Sequence, residues 1–562
     1  MRKQRPSQSM PPKIDGEQQE SQNNPSQSTN TVPQRQPNRK KRRQHVLRAG
    51  LAVVAGRAAG AISRRLHLGG GTSVVGIVAQ RIYPEIIEHL ATQIEYGTVI
   101  VTGTNGKTTT SGFIATILRD SGLRVWHNRE GSNLMRGVAS LFVIRAQPNG
   151  QMRRSGKRAI SILEIDEATI PQIVKAIEPR VAVFNNLFRD QLDRYGEVDS
   201  IISHWRKAIS QMPATTTLVL NADDPSIAHL ATGFSGKVLY YGIDDPSLDL
   251  QKQRGDSEQY QVSDARTCSN CGHEYRYDLR FYSHIGHYRC TSCELQRPQP
   301  DIRATQVQLD SFDRHRITVE HTGQQHEIIV PLPGLYNVYN ALAAITAAQA
   351  VNTDWQSIIT GIEQSKPAFG RGELIQAGDR TIRLLLAKNP TGFNEVLRTV
   401  FSEGIARHVL FILNDNIADG QDVSWIWDVD FERAVGHTQS LVVSGTRALD
   451  LALRLKYAGI PQKEMTIIPY MPLKGEWGTH QTRQQRGANK KQKKRQTLAD
   501  PEQLTSQIAN SYGLKSALDT ALQQTPIGET LFIVPTYTGL LTVHRELEQR
   551  GLTPHFWEGK EV

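Results

Sequence analysis

The sequence predicts an α/β protein with parallel, doubly wound sheets and more than one domain. Short apolar runs alternate with segments of helical length along most of the 562 residues, and this alternation is typical of parallel strands with helices on both faces. A glycine-rich turn follows the first clear run, Thr98–Thr102, and leads into a helical segment. A chain of this length exceeds one ordinary hydrophobic core, so we expect separate domains.

The first domain is predicted over residues 46–368, after a helical lead-in. Helices are expected over Thr108–Asp120 and Asn337–Ala350. Ligands collect at the carboxyl ends of parallel strands, so the polar residues that follow the apolar runs mark the expected site. The predicted strands are 98–102, 159–164, 181–184, 218–221 and 237–241.

A second α/β domain is predicted over residues 369–562. A stretch rich in Gly, Lys, Gln and Arg, residues 474–500, is expected to be a flexible basic loop within it. The predicted strands of this domain are 382–387, 408–413, 440–444 and 530–534.

The chain is predicted to begin with a disordered basic tail over residues 1–45, which is rich in Gln, Ser and Pro and lacks the apolar core of a signal peptide. Much of the net charge of +11 lies in this tail and in the 474–500 loop. These are either solvated segments or segments attracted to an anionic surface, such as a membrane leaflet or nucleic acid. The Ala/Gly-rich stretch Ala49–Ile62 is interrupted by Arg57 and is too short to cross a bilayer. It is expected to be a packed helix, with contact to a membrane surface as the alternative.

The glycine-rich turn has the features of a phosphate-binding loop. Its glycines allow backbone N–H groups to face phosphate oxygens, and the N-terminus of the following helix favours negative charge. Lys107 is placed to reach the β- and γ-phosphates, and the Thr108 hydroxyl is placed to ligate Mg²⁺. The predicted ATP contacts in the loop are Gly103, Thr104, Asn105, Gly106, Lys107, Thr108 and Thr109.

This loop resembles that of the Mur ligase superfamily, and further resemblance extends over most of residues 95–562. The resemblance implies an ATP-dependent ligase that activates a carboxylate as an acyl phosphate. It implies catalytic roles for Lys107 and for Glu164, which corresponds to the family acid that holds Mg²⁺ together with Thr108. It also implies nucleotide contacts outside the loop, from Asn337, Asn340 and Arg371.

One position departs from the superfamily pattern, and a second receives no functional assignment. Usual members carry histidine where this chain has Gln191, so no metal-binding role is assigned there. Lys207 lies roughly where many relatives carry a carbamylated lysine, and we do not assign that modification.

Four cysteines form two pairs, Cys268 with Cys271 and Cys290 with Cys293, and they are the only cysteines of the chain. Two such knuckles separated by 18 residues predict a structural zinc site with four cysteine ligands, in a zinc ribbon inserted at residues 264–300. This use of cysteine fits the reducing cytoplasm. The predicted location is cytoplasmic, with peripheral attachment at the inner membrane face as the alternative. The histidines His273, His284 and His287 are interpreted as exposed loop residues.

Three segments of the last domain, together with the inserted ribbon, narrow the resemblance; they are Asn414–Asp428, Ser444–Arg447 and Arg454–Gly459. These segments resemble the synthetase subunits of two-chain amidotransferases that act on lipid II. This implies amidation of the D-glutamate α-carboxylate of the lipid II stem peptide to D-isoglutamine, with ammonia from a GatD-like glutaminase subunit. If all four cysteines bind zinc, none is left as a glutaminase nucleophile, which agrees with a second chain. The family implies that an aspartate here completes the partner's catalytic triad, and the candidates are Asp419, Asp422 and Asp415.

Two alternatives remain open at this point. The first is a Mur-type ligase that adds an amino acid, as in folylpolyglutamate or cyanophycin synthesis. The second is a nucleic-acid-binding ATPase that uses the ribbon and the basic segments. These segments lack interleaved aromatic residues for base stacking, so we expect no specific nucleic acid partner.

Overall fold

The computed structural model describes residues 39–65, 72–128, 133–153, 158–189, 198–250, 264–402, 404–469 and 512–553. Gln191, the predicted 474–500 loop and residues 1–38 of the predicted tail lie outside the described residues. The last residues of that tail are helical, because α1 begins at Arg39.

The strands up to residue 330 form one large sheet and one hairpin. They are β1 (Thr98–Thr102), β2 (Arg124–His127), β3 (Ala159–Glu164), β4 (Val181–Phe184), β5 (Thr217–Asn221), β6 (Lys237–Ile243), β7 (Tyr275–Tyr282), β8 (Ile285–Cys290), β9 (Ile302–Ser311), β10 (Arg314–His321) and β11 (Gln324–Val330). The nine-stranded sheet has the order β11-β10-β9-β6-β5-β4-β1-β3-β2, and β7 pairs with β8 alone. In this sheet, all neighbouring strands between β2 at one edge and β9 are parallel to each other. Strand β10 is antiparallel to both of its neighbours, β9 and β11.

Helices cover both faces of this sheet. They are α1 (Arg39–Arg65), α2 (Thr72–Ile82), α3 (Ile86–Ala91), α4 (Lys107–Asp120), α5 (Met135–Arg145), α6 (Ile170–Ala176), α7 (Val198–Ile209), α8 (Pro225–Ala228), α9 (Leu335–Ala350) and α10 (Trp355–Glu363). One core joins α4, α9 and α10 to the sheet, and another contains residues of α1, α2, α5 and α7. The central strands β1, β3, β4 and β5 are buried along their whole length, as parallel strands covered on both faces require.

The second sheet has six strands in the order β12-β13-β17-β14-β15-β16, with β12 antiparallel to β13 and the others parallel. The elements are β12 (Arg371–Ala377), β13 (Arg380–Leu385), α11 (Pro390–Val400), β14 (Arg407–Ile412), β15 (Thr438–Gly445), α12 (Ala448–Tyr457), β16 (Met465–Pro469), α13 (Tyr512–Gln524), β17 (Thr530–Pro535) and α14 (Tyr537–Gln549). Apolar side chains on its two faces form two further cores.

The predicted strands all occur, with ends that differ by a few residues at most. Eight strands were not predicted from the sequence, namely β2, β7, β8, β9, β10, β11, β12 and β16. Strand β10 shows why, because its residues alternate between buried and more exposed positions. Half-exposed antiparallel strands contain as many polar as apolar residues and so lack the continuous apolar runs that identify buried parallel strands.

Helix α1 packs closely against the first domain through its small residues. A Cβ at Gly56 would lie 2.8 Å from the Val75 carbonyl oxygen of α2, so the backbones approach too closely for any larger residue. The Arg57 guanidinium donates to the carbonyl oxygens of Val143 and Ile144, at 3.2 and 2.5 Å. Arg57 therefore ties α1 to the end of α5.

The same helix is longer than the sequence analysis expected. Among the described residues, His45–Arg65 is the one helical segment with the length and hydropathy of a membrane-crossing helix. The expectation that this stretch is too short to cross a bilayer was therefore wrong as to length, because the helix continues beyond Ala49–Ile62 on both sides. One face of the segment lies in the protein core through Ala49, Ala52 and Val53.

The two sheets are held against each other by polar and aromatic contacts. Buried Arg383 of β13 pairs with Asp313, which lies between β9 and β10. Phe312 packs edge-to-face on Phe532 of β17, with ring centroids 5.3 Å apart. The Arg398 guanidinium of α11 donates to the Phe281 carbonyl oxygen of the hairpin at 2.6 Å. These contacts bring the start of α11 close to the turn that follows β1.

Candidate functional site

The turn between β1 and α4 has the backbone conformation of a phosphate-binding loop. Gly103 and Gly106 have φ angles of +137° and +84°, which favour glycine. A Cβ at Gly106 would lie 2.0 Å from the Asn340 Oδ1 atom, so a side chain there is excluded by contact as well as by conformation. The four residues after β1 therefore curl into a tight turn whose last residue, Gly106, is the N-cap of α4.

The Lys107 side chain is buried and lies across this turn. Its Nζ atom donates to the carbonyl oxygen of Gly103 at 2.5 Å and to the Glu167 carboxylate at 2.8 Å. Burial acts to lower the pKa of Lys107, but the charges of Glu167 and Asp166 outweigh it and raise this pKa above its usual value. The ammonium group therefore stays charged beside the loop, as phosphate binding requires.

Thr108 and Glu164 come together at the carboxyl ends of two neighbouring strands, β1 and β3. The Thr108 hydroxyl donates to the Glu164 Oε2 atom at 2.9 Å, and both residues are buried. Asn128, which follows β2, holds the Glu164 backbone through two hydrogen bonds of 2.8 and 2.9 Å. A hydroxyl and a carboxylate in contact are oxygen donors of the type that Mg²⁺ prefers.

A group of asparagines supports the loop from the side of β4 and α9. Asn186 binds both the N–H and the carbonyl oxygen of Asn105, at 2.9 and 3.1 Å. The Asn185 amide donates to Thr110 in the first turn of α4 at 2.9 Å. These contacts fix the position of the loop on the sheet edge.

Two predicted nucleotide contacts, Asn337 and Asn340, are buried in the first turns of α9. Asn340 accepts from the Thr110 hydroxyl at 3.3 Å and donates to the Asn337 Oδ1 atom at 2.9 Å. The Asn337 amide donates to the Pro333 carbonyl oxygen at 2.7 Å. In this structure both residues support the loop from behind, and their contact with nucleotide stays a prediction.

The second domain reaches the same loop through Asn389, which the sequence analysis did not identify. Asn389 and Asn105 exchange side-chain hydrogen bonds of 3.0 and 3.4 Å. Asn389 also caps α11 by accepting from the Gly392 N–H at 2.7 Å. Arg371, the remaining predicted nucleotide contact, begins β12 and is half-buried. Its N–H donates to the Ala368 carbonyl oxygen, so its backbone is fixed where the second domain begins.

Lys207 lies on the exposed side of α7, and no role is assigned to it. The same helix contributes Trp205, which is fully buried and donates from its indole N–H to the Glu167 carbonyl oxygen at 2.9 Å. Trp205 therefore helps to position the carboxylate that binds Lys107. No role was predicted for Glu167, although it lies directly after the predicted acidic strand end.

The four cysteines meet at one point, with their sulfur atoms all within 4.8 Å of one another. The distances are 3.6 Å between Cys268 and Cys293, and 3.3 Å between Cys271 and Cys290. Four thiolates around one tetrahedral zinc ion lie roughly 3.8 Å apart, given Zn–S bonds of about 2.3 Å. The cluster therefore has the donor set and the spacing for such an ion.

Backbone N–H groups also point at the sulfur atoms. The Asn270 N–H donates to the Cys268 sulfur, and the N–H groups of Ser292 and Cys293 donate to the Cys290 sulfur, each at 3.4 Å. Burial raises the pKa of the Cys290 thiol, but the N–H groups of Ser292 and Cys293 outweigh this effect and help to lower the pKa to about 6. Such bonds stabilise thiolate, which is the form that binds metal.

The β7–β8 hairpin that contains Cys290 is part of the first domain. Phe281, Tyr282 and Ile285 are buried in the main core. The prediction of exposed histidines was wrong for His284, which is fully buried beside Asp224, and for half-buried His287. Both lie in or beside the hairpin strands that pack on the sheet, which local sequence does not reveal.

The three candidate aspartates follow β14, at the carboxyl edge of the second sheet, and differ sharply in exposure. Asp419 is buried and accepts from the N–H and hydroxyl of Thr538, and burial raises its pKa to about 6. Asp415 is half-buried and accepts from Thr446 at 2.8 Å and Arg447 at 3.3 Å. Asp422 is exposed. Its pKa is lowered because the Ser424 N–H donates to it at 2.8 Å.

The loop geometry predicts the effect of a single methyl group. Gly106→Ala should weaken ATP binding at least about tenfold and destabilise the fold by roughly 1–3 kcal/mol, because alanine resists this φ and meets Asn340. Titration calorimetry and thermal unfolding measure the two effects. Gly122→Ala is the matched control, because Gly122 has a φ of +83° with nothing within 4 Å of its Cβ position. If both variants lose ATP affinity and stability to the same extent, the contact with Asn340 contributes nothing and the backbone conformation alone explains the losses.

Two protein families match this chain. The Mur ligase middle domain family matches residues 101–288, and the MurT ligase C-terminal family matches residues 386–485. The chain is similar to the MurT subunit of the glutamine-hydrolysing lipid II isoglutaminyl synthase of Staphylococcus aureus (strain COL), with 34% identity over 73% of this chain and 87% of the relative. The corresponding subunit of Streptococcus pneumoniae (strain ATCC BAA-255 / R6) is also 34% identical, over 75% of this chain and 89% of the relative.

Solved structures with the same fold include more distant ligases. A pseudomurein peptide ligase type C from Methanothermus fervidus aligns with a TM-score of 0.55 and 22% identity, over 83% of this chain and 80% of that one. A UDP-N-acetylmuramoylalanyl-D-glutamyl-2,6-diaminopimelate–D-alanyl-D-alanyl ligase from Acinetobacter baumannii aligns with a TM-score of 0.53 and 15% identity, over 84% and 80%. The fold is therefore the Mur ligase fold, as the sequence predicted.

Proposed function

Because this chain belongs to the family of MurT subunits of lipid II isoglutaminyl synthase, we propose that it uses ATP to amidate the D-glutamate α-carboxylate of the lipid II stem peptide. The product is D-isoglutamine, and the reaction belongs to peptidoglycan synthesis. The observation that carries this proposal is the joining, in one chain, of a MurT-type second domain with a phosphate-binding loop that places Thr108 against Glu164.

The reaction has two steps. The substrate carboxylate attacks the terminal phosphorus of ATP, which forms an acyl phosphate and releases ADP. Ammonia then attacks the carbonyl carbon, phosphate leaves and a proton is lost, which gives the amide. Lys107 and the N–H groups of the loop stabilise the charge on the transferred phosphoryl group. Asn389 places the second domain at the loop, where the two domains together exclude the water that would hydrolyse the acyl phosphate.

Mg²⁺ belongs at Thr108 and Glu164. Their contact in this structure joins the two oxygen donors at the start of α4. Asn128 holds the Glu164 backbone at the end of β3, and Asn185 holds Thr110 in the first turn of α4. When bound, the ion neutralises phosphate charge. The four cysteines would hold a structural Zn²⁺ ion, because four thiolate ligands would leave no open position for catalysis.

Ammonia comes from a GatD-like glutaminase subunit, and Asp422 completes the triad of that partner. A triad aspartate must reach the partner's histidine and stay ionised to orient it. Asp422 meets both conditions, because it is exposed and its pKa is lowered. Asp419 is turned inward onto Thr538, and the carboxylate of Asp415 is engaged by Arg447.

The surface next to Asp422 suits a protein partner. Trp427 lies in the short 3₁₀ helix that begins just after Asp422, and its ring contacts Tyr457 of α12 at 5.7 Å. Both rings are exposed, and so are Leu453 and Leu449, which lie one and two turns before Tyr457 on α12. Exposed aromatic and aliphatic residues beside a catalytic group are typical of the centre of a protein interface.

Asp422→Asn tests the triad assignment. We expect glutamine-dependent amidation to fall by two orders of magnitude or more, since a triad aspartate contributes about 10⁴-fold in the best-studied case. Amidation with added ammonium chloride should be unchanged, because that route does not use the glutaminase. Asp419→Asn and Asp415→Asn are the matched comparisons. If Asp419→Asn or Asp415→Asn loses glutamine-dependent amidation and Asp422→Asn does not, the triad role belongs to that other aspartate.

Reconstitution of the chain with its glutaminase tests the function as a whole. Lipid II, ATP, Mg²⁺ and glutamine should give a product that is lighter by the mass difference between OH and NH₂, as measured by mass spectrometry. Formation of ADP should accompany the product in equal amount. Amide formed without ATP consumption would refute the proposal, and incorporation of a free amino acid would favour an amino-acid ligase.

A further inference from the structure

Helix α1 has two apolar faces, although only one of them is covered by the protein. The inner face, which includes Ala49, Ala52 and Val53, lies in the core of the first domain. The outer face presents large apolar side chains to solvent. These are Leu47, Leu51, Val54 and Ile62, which are exposed to 73%, 62%, 49% and 58%.

The exposed residues form a continuous row. Positions 47, 51, 54, 58 and 62 are three or four residues apart, so they lie along one side of a helix, and Ala58 between Val54 and Ile62 is exposed as well. A single exposed leucine is ordinary on a soluble protein, but a row of them over four turns indicates a binding surface.

The charge of α1 shows what this surface fits. Its sequence has nine basic residues, namely five at positions 39–43 together with Arg48, Arg57, Arg64 and Arg65, and no acidic residue. Arg48, Arg64 and Arg65 are exposed near the two ends of the apolar row. Apolar side chains flanked by arginines are typical of helices that lie in the headgroup region of anionic membranes.

We propose that the outer face of α1, defined by Leu47, Leu51, Val54, Ala58 and Ile62, binds the anionic surface of a lipid bilayer with the helix in the plane of the membrane. A second copy of this chain fits less well, because it would bring two strongly basic helices together. A membrane-crossing orientation would expose Arg57 and the inner face to lipid, and both are engaged by the protein.

This inference rests on the proposed function for its purpose, since the substrate proposed above is a lipid-linked precursor. Binding at the membrane surface would hold the ligase where that substrate lies and confine their encounter to two dimensions. The binding itself depends only on α1, so it can be measured without ATP, glutamine or substrate.

Vesicle co-sedimentation of the full chain in complex with its glutaminase tests the proposal. Vesicles with about one-third phosphatidylglycerol should bind the complex, and vesicles of phosphatidylcholine alone should bind it at least about tenfold more weakly. Leu51→Glu/Ile62→Glu should reduce binding to the anionic vesicles at least about tenfold, because it removes buried apolar area and adds negative charge.

Leu374→Glu/Ile527→Glu is the matched control, because it makes the same changes at exposed apolar positions of the second domain and should leave vesicle binding unchanged. Circular dichroism and thermal unfolding of each variant establish that the fold is intact. Equal binding by the α1 variant and the wild type overturns the proposal. The proposal is also overturned if the α1 variant changes the oligomeric state or releases the glutaminase, because the outer face of α1 would then bind protein. Failure of amidation with normal vesicle binding would instead refute the proposed function alone.

Discussion

Lys107→Ala is expected to reduce ATP-dependent amidation by about 10³-fold or more, because a cation aimed at the transferred phosphoryl group contributes most in a water-excluded site. The buried ammonium group lies on the loop and is kept charged by Glu167. The loss should appear mainly in kcat, with a smaller effect on ATP binding. The reconstituted amidation assay, followed by mass spectrometry, measures it.

The matched control is Lys175→Ala, which removes an exposed lysine from α6 and should be silent. Glu167→Gln adds a finer test, because it releases the Lys107 ammonium group without removing it. A Lys107→Ala enzyme that retains more than about a tenth of wild-type activity would contradict the role of the loop in phosphoryl transfer.

Cys290→Ser is expected to remove the zinc ion and destabilise the first domain. Loss of one of four thiolates breaks a closed tetrahedral site. The hairpin that contains Cys290 contributes Phe281, Tyr282 and Ile285 to the main core, so its disorder should spread beyond the ribbon. We expect close to one zinc ion per wild-type chain, most of it lost in the variant, and a fall on the order of 5 °C in the midpoint of thermal unfolding.

Plasma mass spectrometry measures the zinc content of each protein, and scanning calorimetry measures the midpoint of thermal unfolding. Ser292→Ala is a suitable control, because it changes a residue of the same knuckle whose N–H, not its side chain, faces sulfur. A wild-type chain purified without metal under reducing conditions, with unchanged stability in the presence of a chelator, would rule out a structural zinc ion.

Local patterns in the sequence were sufficient for much of the fold and for the cluster of four cysteines. Buried parallel strands such as β3 and β4 are continuous apolar runs, and their ends match the predictions residue for residue. The cysteine pairs predicted a cluster, and the structure brings all four sulfur atoms together. In both cases the chemistry depends on residues that are close in sequence, so spacing alone carries the information.

Contacts between distant segments depended on the order of the strands and the packing of the domains. The strand order places β1 between β3 and β4, which brings Glu164 to Thr108 and Asn186 to Asn105. Asn340 meets Gly106 across more than 200 residues of sequence, and Asn389 meets Asn105 across a still longer separation. No local pattern encodes such pairs, because each exists only once the sheets are assembled.

Exposure was the other property that only the folded chain decided. Asp415, Asp419 and Asp422 lie within eight residues of one another and are alike in a sequence, yet packing buries Asp419 on Thr538 and leaves Asp422 at the surface. Helix α1 gives the converse case, since its composition indicated an ordinary packed helix. The core can contact only one side of a helix, so the apolar residues on the opposite side of α1 remain exposed.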